Sequence, residues 1–133
     1  MIKAVLDASV LYPAPLRDLF MHLAVQEVFR ARWTNLIHDE WIRNVLKNRP
    51  DLTFARLERT KNLMNENAKN SLVTHFEHRI EALSLPDSDD RHVLAAAIQT
   101  KADVIVTTTN NAKRVSDLFL SVRLKYVTTS PRI

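Results

Sequence analysis

A chain of 133 residues with no glycine is confined both in how it can turn and in what it can hold. Ordinary usage is about 7% glycine, so roughly nine would be expected at this length. Glycine takes positive φ without steric cost. Without it, tight turns fall to Asn, Asp, Ser and Pro, or they strain a residue that carries a Cβ. Three mechanisms disappear at once: the phosphate loop G-x-x-x-x-G-K-[ST], the dinucleotide turn G-x-G-x-x-G and the nucleophile elbow G-x-S-x-G. A glycine-lined backbone cradle for nucleotides is excluded. Side-chain carboxylates with a metal are then the natural way to handle phosphate.

Other absences narrow the field. Cysteine is missing, which removes disulfides, Cys-based zinc sites and thiol nucleophiles. No apolar run approaches the ~18 residues that a membrane span needs. The opening MIKAVLDASVLYPAPL carries Asp7, which is wrong for a signal peptide. The expectation is a cytoplasmic protein with no membrane partner. Apolar residues make up 46%, enough for one core, so residues 1–133 are expected to form a single domain. The net charge of +4 favours a polyanionic partner, but many unrelated proteins are equally basic.

Strands and helices alternate along the chain. Ile2 to Leu6 is a short apolar run closed by Asp7 and predicts a buried strand. After the break at Pro13 and Pro15, Leu16, Leu19, Phe20, Leu23, Ala24 and Val28 recur at helical spacing over about 16–29. Ala31 to Trp33 is a short strand candidate. Thr34 and Asn35 offer a cap for a helix carrying Ile37, Trp41, Ile42 and Val45. A third helix is expected over about 53–67, with a thin apolar face of Phe54, Leu57, Leu63 and Met64, and Asn70 replaces a terminal glycine. Ser71 to Thr74 and Leu83 to Leu85 read as extended. Pro86 precedes the most regular helix, with Val93, Leu94, Ala97 and Ile98 on one face. Val104-Ile105-Val106 is the clearest buried strand. A helix near 112–120 and a strand near 124–128 complete the pattern. The fold class is α/β: one domain, a central, mainly parallel sheet and helices on both faces.

In open parallel sheets, ligands bind beyond the carboxyl ends of the strands. Asp7 stands there after the first strand, and Asn110 and Asn111 after Val104–Val106. Glu40 lies in the first half of the second helix, and Asp90 in the first turn of the helix after Pro86. Clustered carboxylates repel unless cations neutralise them, so a shared divalent metal is the simplest resolution, and oxygen ligands suit Mg²⁺ or Mn²⁺. Each residue also has a plain structural reading. Asp7 can cap the turn after a strand. Asp87 can be an N-cap with Asp90 completing a capping box, and Glu40 can be an ordinary exposed acid. The five histidines show no H-E-x-x-H spacing. Trp33 and Trp41 read as core or interface aromatics. Arg30 with Arg32, Lys113 with Arg114, and Arg43 are basic positions that read as solvated faces or, beside an acidic metal site, as phosphate contacts.

Val5-Leu6-Asp7-Ala8-Ser9-Val10-Leu11 resembles the opening V-L-D-[AT]-[NS]-V-L of PIN-domain ribonucleases. Ile37-His38-Asp39-Glu40-Trp41 looks like the segment that carries their second acid. Pro86 to Ile98 is similar to the P-D-x-D-D-x-x-V-L-A-A-A helix of the subgroup that includes VapC-like toxins. The resemblance spans roughly residues 2–111. It implies Mg²⁺- or Mn²⁺-dependent cleavage of RNA phosphodiesters, leaving a 3′-hydroxyl and a 5′-phosphate. Asp7, Glu40 and Asp90 match the catalytic metal ligands, with Asn110 beside them, and Arg43, Lys113 and Arg114 are the candidate RNA contacts. An antitoxin protein and a homodimer are the partners it suggests. Relatives commonly read V-T-x-N-x-x-D-F after the last site strand. Here Lys113 and Arg114 stand where an acid is expected. A weakened or non-catalytic module that binds RNA or a protein is therefore the alternative. Relatives also often carry glycine where Glu27 and Lys101 stand, so both positions are expected at positive φ and strained.

Overall fold

Short apolar runs form the middle of the sheet. In the computed structural model, which describes residues 1–81, 83, 88–108 and 125–129, β1 is Lys3–Leu6 and β3 is Val104–Thr108. They lie side by side, with Ala4, Val5 and Leu6 in register with Val104, Ile105 and Val106. The outer strands are β2, Arg30–Arg32, and β4, Lys125–Thr129. The order is β2-β1-β3-β4 and every pairing is parallel. The chain thus leaves β1 toward β2 on one side and places β3 on the other. The order reverses between β1 and β3, and outside the carboxyl ends of such strands is where parallel sheets place their ligands.

Six helices surround this sheet among the described residues: α1 (Ala8–Leu11), α2 (Ala14–Val25), α3 (Asn35–Asn48), α4 (Phe54–Asn67), α5 (Glu77–Glu81) and α6 (Ser88–Thr100). Thr34 caps α3 by accepting from the Ile37 N–H at 3.1 Å, and Thr53 caps α4 by accepting from the Arg56 N–H at 3.2 Å. Each such cap stabilises its helix by about 1 kcal/mol. Trp33, Trp41, Ile37, Leu11 and Val10 are fully buried with Val5 and Leu6 in one core. On α4 the expected apolar face divides. Leu57 and Met64 pack into that core, while Phe54 and Leu63 stay 59% and 51% exposed.

Without glycine, the helix ends carry strain. Glu27 and Lys101 have φ of 59° and 57°, and Asn70 and His75 join them at 58° and 59°. After α2 the Val28 N–H reaches Leu23 O and the Glu27 N–H reaches Ala24 O; after α6 Ala102 and Lys101 repeat the pattern on Ala97 and Ile98. These are Schellman endings with a Cβ at the left-handed position, which glycine normally fills. Asparagine tolerates it best, so Asn70 bears the least strain of the four.

Several expectations need correction. The helix expected over 16–29 is α2; it ends at Val25 because Glu27 turns left-handed. The extended segment at Ser71 to Thr74 makes one parallel bridge, Leu72 to Trp33, and no full strand. Leu83 belongs to no strand, and α5 precedes it where no helix was expected. Asp7 does not merely end β1, because it opens the short helix α1. Arg32 is no solvated residue; it is 7% exposed. The helix expected near 112–120, Leu85, Asp87, Asn110, Asn111, Lys113 and Arg114 lie outside the described residues.

Candidate active site

Asp7 leaves the sheet in extended backbone, with φ −70° and ψ 157°, while its N–H still bonds Val106 O at 3.0 Å. Its Oδ1 accepts from the Ala8 N–H at 2.8 Å, which caps α1. Its Oδ2 accepts from the Ser9 and Thr107 hydroxyls, each at 2.9 Å, and those two hydroxyls stand 3.2 Å apart. The structural reading of Asp7 as a cap is therefore correct, yet capping uses only one of its oxygens. An ionised carboxylate offers about four acceptor positions. Burial pushes the Asp7 carboxyl above its ordinary range. The Ser9 and Thr107 hydroxyls and the Ala8 amide pull it back, and the charge of Glu40 adds to the rise.

Glu40 stands on α3, near enough for its charge to act on Asp7. Its side chain is about one quarter exposed, and His92 Nε2 of α6 stands 3.9 Å from its Oε1. His92 is buried, and its Nδ1 has no hydrogen-bond partner among the described residues. No Lys or Arg pairs with Asp7 or Glu40 among the described residues. Asp90 occupies the first turn of α6, two positions before His92. Arg43 is exposed on α3, one turn beyond Glu40.

The helix that carries Glu40 is held by a buried polar network. His38 is fully buried; the Trp41 Nε1–H donates to its Nδ1 at 2.9 Å, and its Nε2 meets Asn65 Oδ1 at 3.0 Å. Trp33 Nε1–H donates to the same Asn65 oxygen at 2.7 Å. These partners select the neutral imidazole with its proton on Nε2. Burial drives its pKa down from 6.5 to about 4. From α2, the Arg17 guanidinium stacks 4.5 Å over Trp41 and donates to Leu11 O at 2.7 Å, which closes the carboxyl end of α1. The loop around Asp7 and the helix around Glu40 are thus fastened to each other.

Two carboxylates from separate elements, with no Lys or Arg partner among the described residues, fit a hard divalent cation in their donor chemistry. Among the described residues, no group of three or more His, Asp or Glu side chains has the geometry to hold a metal. The sequence-expected residues divide accordingly. The charge of Glu40 acts on Asp7, Asp90 stands in the first turn of α6, whose His92 approaches Glu40, and Asn110 lies outside the described residues. Sequence reasoning missed Ser9, Thr107, His92, Arg17 and His38. Ser9 alone had a local signal, a hydroxyl two residues after an acid.

The fold is an α/β domain built on a parallel sheet with helices around it. Residues 3–111 match the family model of the PIN domain, so the chain belongs to the PIN-domain family. The PIN domain is a nuclease fold that acts on RNA and generally uses divalent metal ions. No curated protein matches this chain. Among the described residues, no helix is long and apolar enough to cross a membrane.

Proposed function

We propose that this PIN domain, taken as residues 1–133, is a metal-dependent endoribonuclease of the VapC-like toxin subgroup. The observation that carries the reading is the acid pair Asp7 and Glu40 at the switch point, unneutralised by Lys or Arg among the described residues. Asp90 joins them as the third acid, Asn110 as a neutral ligand, and the cation is Mg²⁺ or Mn²⁺. Such a cation lowers the pKa of water and offsets charge on the phosphate when bound. The protein's part is positioning. Ser9, Thr107 and the Ala8 amide hold Asp7 in one orientation, and the His38–Asn65 network holds α3 and with it Glu40. Water attacks phosphorus, the bond to the 3′ oxygen breaks, and the products are a 3′-hydroxyl and a 5′-phosphate. Arg43, Lys113 and Arg114 contact the RNA backbone, which supplies affinity more than sequence choice.

A cytoplasmic toxin of this kind pairs with an antitoxin or with a second copy of itself. The exposed Phe54 and Leu63 on α4 offer such a partner an apolar contact. A second reading, a weakened or non-catalytic module that binds RNA or protein, draws on Lys113 and Arg114 standing where relatives carry an acid. Incubation of the purified chain with RNA in Mg²⁺, Mn²⁺ or EDTA separates the two. Cleavage that stops in EDTA and in Asp7→Asn, Glu40→Gln and Asp90→Asn supports the enzyme. Cleavage that survives EDTA defeats the mechanism, and binding without turnover in either metal favours the second reading.

A further inference from the structure

Away from the acid pair, a cavity of about 250 Å³ opens beside the edge strand β2. Its charged lining is Arg30, Arg32, Lys69 and Glu27, and neither Asp7 nor Glu40 reaches it. Arg32 is the unusual member. It is 7% exposed, and its Nη1 donates to Ala31 O at 2.8 Å and to Lys69 O at 3.4 Å. Those bonds tie β2 to the chain leaving α4, yet they use one nitrogen of three. Nε and Nη2 make no hydrogen bond to the described residues, and no carboxylate pairs with the guanidinium there. Burial and the neighbouring charge of Arg30 both disfavour its charged form. A largely buried cation without an anion is costly, and a second arginine beside it adds to that cost.

We propose that this cavity is a binding site for a phosphate monoester, the terminal phosphate of an RNA strand or of a nucleotide. Three cationic side chains against one acidic side chain leave two positive charges, which match a phosphate dianion. The free edge of the Arg32 guanidinium presents paired N–H donors to two phosphate oxygens, and Arg30 and Lys69 close on the remainder. Glu27, held at the rim by its left-handed turn, repels a more highly charged ligand. The site does not depend on the cleavage reading, because it shares no residue with the acid pair.

Calorimetric titration of the full chain in EDTA, near physiological ionic strength, tests it without a cation at the acid pair. The probes are inorganic phosphate, a nucleoside 5′-monophosphate, and one short RNA with either a 5′-phosphate or a 5′-hydroxyl. Saturable binding is expected, with the phosphorylated RNA binding at least roughly tenfold more tightly than its hydroxyl counterpart. Tighter binding of that RNA than of the mononucleotide assigns the site to strand ends, and equal binding assigns it to free nucleotides. Arg30→Glu combined with Lys69→Glu, both exposed and safe for the fold, should weaken binding by at least roughly tenfold. Arg32→Lys keeps the charge, loses the fork and should weaken it too. Equal affinity for the two RNAs, no saturable binding, or binding unchanged in the double variant overturns the proposal. All of these leave metal-dependent cleavage untouched.

Discussion

Two regions of this small sheet carry opposite charge, and among the described residues each is only partly offset. At the carboxyl ends of β1 and β3, Asp7 feels the charge of Glu40, and neither has a Lys or Arg partner among the described residues. At the β2 edge, Arg30, Arg32 and Lys69 gather with only Glu27 opposing them. A net charge of +4 hides this separation completely. Self-repulsion of this kind destabilises a fold unless ligands neutralise it. The contrast therefore points to two ligands of opposite sign, a cation at one region and an anion at the other.

The largest expected effect falls on the acidic region. Asp7→Asn or Glu40→Gln should lower cleavage on the order of 10²-fold or more, because each removes charge that only a cation site needs. Rate constants in saturating Mn²⁺ measure this, and near-full activity in either variant would break the comparison at its acidic side.

Acid should then weaken the scaffold beneath that region. His38 has a folded pKa near 4 against 6.5 in the unfolded chain, so the unfolded state binds the extra proton between those values. Stability from this group is fully present above pH 6.5 and drains away as pH falls toward 4, by about 3 kcal/mol in total. Chemical denaturation between pH 7 and pH 4 measures it. A His38→Gln variant should start less stable and lose less; an equal slope would free His38 of the role.

Cation binding should be visible without any substrate. With cation at about 100 times its dissociation constant, the folded state gains roughly 2.7 kcal/mol. The melting temperature of the wild type should rise with Mn²⁺, and that of Asp7→Asn should not. In EDTA the order reverses. Burial raises the Asp7 pKa above the ordinary 3.8, so stability falls as pH rises through that range. Removing the charge should therefore raise the melting temperature at neutral pH. A lower melting temperature for Asp7→Asn in EDTA would show that its hydrogen bonds outweigh its desolvation.

The smallest effect concerns the strained turns. Glu27→Gly and Lys101→Gly should each stabilise the chain by about 1 kcal/mol, a shift of a few degrees in thermal melting. Glu27→Gly also removes the one acid at the basic cavity, so it should tighten phosphate binding while Lys101→Gly does not. If both variants change binding alike, the charge balance proposed for that cavity is wrong.

Much of the framework was legible from local pattern. The cap at Thr34, the start of α4 near Thr53, the apolar run of β3 and the helical face of α6 each follow from residues within a turn or two of one another. The left-handed Glu27 and Lys101 were expected only from the resemblance, because relatives often carry glycine at those helix ends. The two short helices were not legible. Asp7 reads as the end of a strand until the α1 cap is seen, and α5 has too few residues for periodicity to register.

Sequence alone determined the chemistry available: no cysteine, no backbone phosphate cradle, and acids placed at strand and helix ends in the order Asp7, Glu40, Asp90. Composition and local pattern suffice for that, since they fix which groups exist and which elements carry them. Tertiary structure decided which groups meet. The Thr107 hydroxyl reaches Asp7 across 100 residues of chain, His92 approaches Glu40 from another helix, and Arg32 loses its solvent to a cavity built from three segments. Such pairings depend on parallel strand register and helix packing, and those are set by burying the whole core at once rather than by any neighbour in sequence.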